Sequence, residues 1–132
     1  MYRIIKLLLI IILIGCSDDR VIIPDLNDID HLEIKDEKHN FSYDEFNKDL
    51  INEFKKVLAG RPEKIDCYPA GFIWFMKGGE IRLNIAYSNS PDCPFLIIEK
   101  NHKQTGYRLN YQSGMYLTEY VHKLQQKNEP NH

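Results

Sequence analysis

The stretch G-F-I-W-F-M-K-G-G-E-I-R-L-N-I-A-Y, from Gly71 to Tyr87, decides the fold. Phe72, Trp74 and Met76 alternate with Ile73 and Phe75, and after Lys77-Gly78-Gly79-Glu80 the residues Ile81, Leu83, Ile85 and Tyr87 alternate with Arg82, Asn84 and Ala86. A period of two marks strands, and a Gly-Gly loop supplies the positive backbone angles that a tight hairpin requires. With those glycines as the loop, Met76 pairs with Ile81, Trp74 with Leu83 and Phe72 with Ile85. That face is continuously apolar and is the expected core. The second face then carries Ile73 and Phe75 opposite Asn84 and Arg82. Aromatic, aliphatic and guanidinium groups together are what interface centres favour, so these four residues are the expected partner-binding surface, joined by Tyr116 from the tyrosine group Tyr107, Tyr111, Tyr116 and Tyr120.

Working outward, Ser88 to Pro94 is dense in turn formers. It leads to a third strand at Phe95-Leu96-Ile97-Ile98 and, past a polar loop, to a fourth at Tyr107 to Tyr111. A last helix is predicted from about Gly114, capped by Ser113, with Leu117, Tyr120, Val121 and Leu124 on one face. Upstream, Ser42 and Glu45 have capping-box spacing, Phe41 and Phe46 are placed for a hydrophobic staple, and Phe46, Leu50, Phe54, Val57 and Leu58 form a helical stripe that Gly60 and Pro62 would stop. The order predicts an α+β two-layer sandwich: a four-stranded antiparallel meander flanked in sequence by an N-terminal and a C-terminal helix.

The N-terminus is of another kind. Arg3 and Lys6 precede an apolar run from Leu7 to Ile14 that is too short to span a bilayer. Leu13-Ile14-Gly15-Cys16 resembles the lipobox of bacterial lipoproteins. The resemblance covers the targeting segment only. It implies cleavage of residues 1–15, diacylglycerol on the Cys16 sulfur and an N-acyl chain, an anchor of two or three acyl chains that holds durably where one would not. Ser17, rather than Asp, follows the cysteine, which in a Gram-negative cell predicts the periplasmic leaflet of the outer membrane rather than the inner membrane. In a Gram-positive cell the outer face of the cell membrane is expected. Residues 16–40, rich in Asp and Glu, read mainly as an acidic tether, with Leu32 and Ile34 spaced for a short strand at its end. Residues 41–127 are then the single domain and 128–132 a polar tail.

The chain of 132 residues has formal charge −2, and loss of Arg3 and Lys6 takes the mature part to −4. No basic stripe is present, which argues against nucleic acid. With Cys16 assigned to lipid, Cys67 and Cys93 form an even pair in a compartment that permits disulfides. Closing their loop of about 27 residues contributes roughly 3 to 4 kcal/mol in the chain-entropy model. Cys-x-x-Cys spacing is absent, so no metal is expected. No nucleophile elbow or phosphate loop occurs, and no cofactor is expected beyond the lipid on Cys16. Glu119 and His122 share a helix face as an acid/base or metal pair at best. The expected function is a non-catalytic, membrane-anchored module binding an envelope protein, of the immunity, inhibitor or accessory-subunit type. The rivals are a small periplasmic hydrolase using Glu119 and His122, and a passive glycan- or peptidoglycan-binding lipoprotein.

Overall fold

A computed structural model describes residues 20–21, 26–56 and 59–128. The lipobox, with Cys16 and residues 1–15, lies outside the described residues. Eight strands, β1 (Arg20–Val21), β2 (His31–Asp36), β3 (Phe41–Glu45), β4 (Ala59–Pro62), β5 (Gly71–Lys77), β6 (Glu80–Ser88), β7 (Phe95–Lys100) and β8 (Lys103–Leu109), form one sheet in the order β1-β4-β8-β7-β6-β5-β2-β3. Every neighbouring pair is antiparallel. Helix α1 (Lys48–Glu53), continued by a 3-10 turn at Phe54–Lys56, and helix α2 (Tyr111–Asn128) pack on one face.

The expected four-stranded meander between two flanking helices is therefore corrected. The meander β5-β6-β7-β8 is present, but it is the centre of a wider sheet extended by the β2-β3 hairpin on one side and by β4 on the other. The N-terminal helix expected from Ser42 starts later, at Lys48, and is shorter, because Phe41–Glu45 is strand β3. Phe41 and Glu45 point inward while Ser42 and Asp44 point out, and Asn40 takes a positive φ of 53° in the turn that joins β2 to β3. Pairing with β2 outweighs the local capping signal. Glu45 accepts instead from the Tyr43 hydroxyl and the Asn47 amide, and Phe46 stacks on His31 at 4.4 Å. Asn47 is the actual cap of α1, its side chain accepting from the amides of Asp49 and Leu50 at 2.9 and 3.3 Å. Gly60 and Pro62 lie within β4 rather than ending a helix. The short strand anticipated at the end of the acidic segment is β2, where Leu32 and Ile34 are fully buried.

The expected hairpin register is corrected too. Met76 does oppose Ile81, but a bulge at Phe75/Met76 sets Phe75 opposite Leu83, Trp74 opposite Asn84 and Ile73 opposite Ile85. Arg82 is the extra residue. The inward face thus carries Ile73 and Phe75 with Leu83, Ile85 and Tyr87, continued by Leu32 and Ile34, by Leu96 and by Leu109. Helix α2 covers them with Leu117, Tyr120, Val121 and Leu124, the four residues expected, and begins at an Asn110 cap rather than at Ser113. Phe54 links the layers, its ring 5.2 Å from Phe75 and 5.5 Å from Tyr120.

Residues 63–70 return from β4 to β5 along the other face. Ile65 lies over Gly106, where a side chain would collide with it and with the Glu63 carbonyl. Cys67 is bonded to Cys93, as expected, with a Cα–Cα distance of 6.6 Å. The Ala70 amide then reaches the Tyr87 carbonyl. This crossover closes the end of the sheet where β7 begins, beside the fully buried Phe95, and among the described residues no helix lies on the remainder of that face.

Candidate binding face of the sheet

The register assigns the outward face row by row. One row across the strands reads Asp44, Glu33, Trp74, Asn84, Glu99 and Gln104, and the next reads Ser42, Lys35, Phe72, Ala86, Ile97 and Gly106. Trp74, Phe72 and Ile97 are half-buried, and Ile81 at the hairpin end is 53 % exposed. The result is an apolar strip with a polar row running through it.

That polar row is rich in acceptors. Asp44 takes the His31 Nε2 at 3.0 Å, and Gln104 donates to Glu99 at 3.1 Å. Glu33, half-buried beside Trp74, makes no hydrogen bond or ion pair among the described residues. The Asn84 Oδ1 is shielded from solvent and also lacks a donor; a buried acceptor left so costs about 1 to 3 kcal/mol. No Lys or Arg stands in this row. Lys35 in the next row is exposed and forms no ion pair among the described residues, while Arg108 is held by Glu63 at 2.7 Å.

The residues expected to form one interface are not brought together. Ile73 and Phe75 are 0 % exposed and belong to the core. Arg82 projects at the bulge, 3.9 Å from Glu80, and Asn84 lies on the outward face beside Trp74. Tyr116, 37 % exposed, is on α2 in the helical layer, where its hydroxyl accepts from Gln112. The surface built around Ile73 and Phe75 therefore does not exist; the outward face is the one first assigned to the core. Glu33 and Glu99 were missed because one falls in the acidic segment and the other at the end of the third strand. Alternation of Glu33 and Lys35 with the buried Leu32 and Ile34 is the signal that could have placed Glu33 on this face.

Two buried polar clusters lie on the inward side. Asp36 accepts the Tyr87 hydroxyl, the His39 amide at 2.7 Å and the His39 ring at 3.0 Å. Burial, reinforced by Asp36, holds the Tyr87 hydroxyl far above the ordinary phenol range. At the other end Tyr43 donates to Glu45 at 2.5 Å, and burial followed by that hydrogen bond pushes Tyr43 up to about 12. Asp36 and Glu45 are sealed in, and their partners tie turns and strand ends together. Glu119 lines a hollow with Glu53, Tyr116, Tyr120 and Lys123, and His122 is not part of it. Among the described residues no three His, Cys, Asp or Glu side chains converge on a metal position, and no helix is long and apolar enough to cross a membrane. No protein-family model, curated protein or solved structure matches the chain.

Proposed function

We propose that this chain is a lipid-anchored envelope protein that acts as a non-catalytic protein-binding module, docking its partner on the outward face of the sheet around Trp74. The observation that carries the reading is the apolar strip of Phe72, Trp74 and Ile97, continued by the exposed Ile81, on a face where, among the described residues, no helix packs and the crossover covers the Gly106 end. Contiguous apolar surface of this kind marks interaction sites. Location rests on the lipobox-like Leu13 to Cys16, and the Cys67–Cys93 disulfide fits an oxidising compartment such as the periplasm. The periplasmic leaflet of the outer membrane is the proposed site in a Gram-negative cell.

Both halves are tested in one strain series. A photo-crosslinking residue replacing Ala86, on the outward face, should capture a defined envelope protein, whereas the same residue at Thr118 on α2 should not. Cys16→Ser should abolish fatty-acid labelling. Capture from Thr118 alone would move the docking surface to the helical layer, and equal labelling of Cys16→Ser and wild type would remove the lipid anchor.

A further inference from the structure

On the reading that the outward face is the docking surface, we infer that it selects a cationic protein segment and seats an arginine side chain over Trp74. The row Asp44, Glu33, Trp74, Asn84, Glu99 brings three carboxylates onto one line of the sheet with no Lys or Arg among them. Neighbouring strands are about 4.8 Å apart, so Glu33 and Glu99 stand roughly 14 Å apart with the indole and the Asn84 amide between them. Glu33 has no partner among the described residues, while Asp44 and Glu99 each have one, His31 and Gln104. Carboxylates so placed favour hydrogen-bond donors and positive charge. A guanidinium brings five donors, no acceptor and a plane that stacks on an indole beside a carboxylate. Sugar hydroxyls bring acceptors as well as donors and no charge, which suits this row less. The formal charge of −4 on the part that follows the lipobox-like segment acts in the same direction, drawing basic partners from a distance.

Trp74 is the chain's single tryptophan, so its emission reports occupancy of this site directly. Full-length protein in detergent micelles is titrated with a blocked decapeptide of alternating arginine and glycine, with its lysine and glutamate counterparts, and with a chitooligosaccharide. The arginine peptide should give a saturable change in emission, the lysine peptide a weaker one and the glutamate peptide none, and added salt should weaken the response. Glu33→Gln and Glu99→Gln should each weaken arginine-peptide binding about tenfold, roughly 1.4 kcal/mol, with thermal unfolding unchanged, while Glu119→Gln on α2 should leave binding as it was. A response indifferent to peptide charge overturns the cationic selection and leaves the docking face standing. A response to the oligosaccharide alone replaces the protein segment with a glycan. Absence of any saturable response overturns the inference, and the crosslinking from Ala86 then decides separately whether the face docks a protein at all.

Discussion

At the scale of single residues, adjacent aromatic side chains on one strand have opposite duties. Phe75 is fully buried against Phe54, and Trp74 lies half-buried on the outward face opposite Asn84. Phe75→Ser removes a ring from the core and adds a hydroxyl without a built partner, so it should cost about 3 to 5 kcal/mol of stability. Trp74→Ala should cost less in chemical denaturation, because the indole lies outside the helix-covered core and is partly open to solvent, yet weaken partner binding by roughly 1 to 3 kcal/mol. Urea titrations followed by far-ultraviolet circular dichroism check the first pair of values. Equal losses for the two variants would mean that both faces are packed. Which of the two residues is core was not legible from β5 itself, since Ile73 and Phe75 are as apolar as Phe72, Trp74 and Met76. One unpaired residue, Arg82, sets the phase.

Elements fit together here through rows that cross several strands, and one row shows how closely. Asp36 on β2, Gly71 on β5 and Tyr87 on β6 are in register, and the Tyr87 hydroxyl reaches across Gly71 to the Asp36 carboxylate. A Cβ at Gly71 would lie 2.5 Å from the Lys35 carbonyl oxygen, 2.8 Å from the Asp36 Cα and 2.9 Å from the Tyr87 hydroxyl. Two of those are backbone atoms of a paired strand and cannot swing aside. Gly71→Ala should therefore separate β2 from β5 and cost at or above the roughly 3 kcal/mol end of ordinary substitutions. Calorimetry checks this, with Gly78→Ala as a comparison: there the strain is that of a positive φ of 59° with open space around the added methyl. If Gly78→Ala proved the more damaging, the close approach at Gly71 would not govern the pairing. Long-range contacts of this kind explain why Phe41 to Glu45 is strand where a helix start is expected. The helix-start signals are local and genuine, but Phe41 and Glu45 are paired across the hairpin with Asp36 and Leu32 of β2, which is itself held by β5.

For the molecule as a whole, the meander, the C-terminal helix and the disulfide were legible, because each is written in short-range periodicity or in the parity of cysteines. The sheet's width was not, because β2 and β4 join the meander by pairing with β5 and β8, strands far from them in sequence. The candidate site shared that fate: of its row, Asn84 alone was singled out beforehand, for the wrong companions. The crossover of residues 63–70 carries the last consequence. It lies over Gly106 and is bonded through Cys67 to Cys93, just ahead of the buried Phe95 at the start of β7. The loop closed by the bond has a sequence separation of 26, and its constraint on the unfolded chain is worth about 3 to 4 kcal/mol. Cys67→Ala/Cys93→Ala should thus lower the unfolding free energy by roughly 2 to 4 kcal/mol. The loss should also have a location. Freed of its tie, the crossover can lift from the outward face, so amide exchange should accelerate in residues 63–70 and around Phe95. The β2-β5-β6 centre, packed on Phe54 and α2, should keep its relative protection. Exchange measured on the oxidised protein and on the double variant distinguishes the two contributions: a uniform rise across the sheet would place the disulfide's whole effect in the unfolded state and leave the crossover with no role in closing that end of the face.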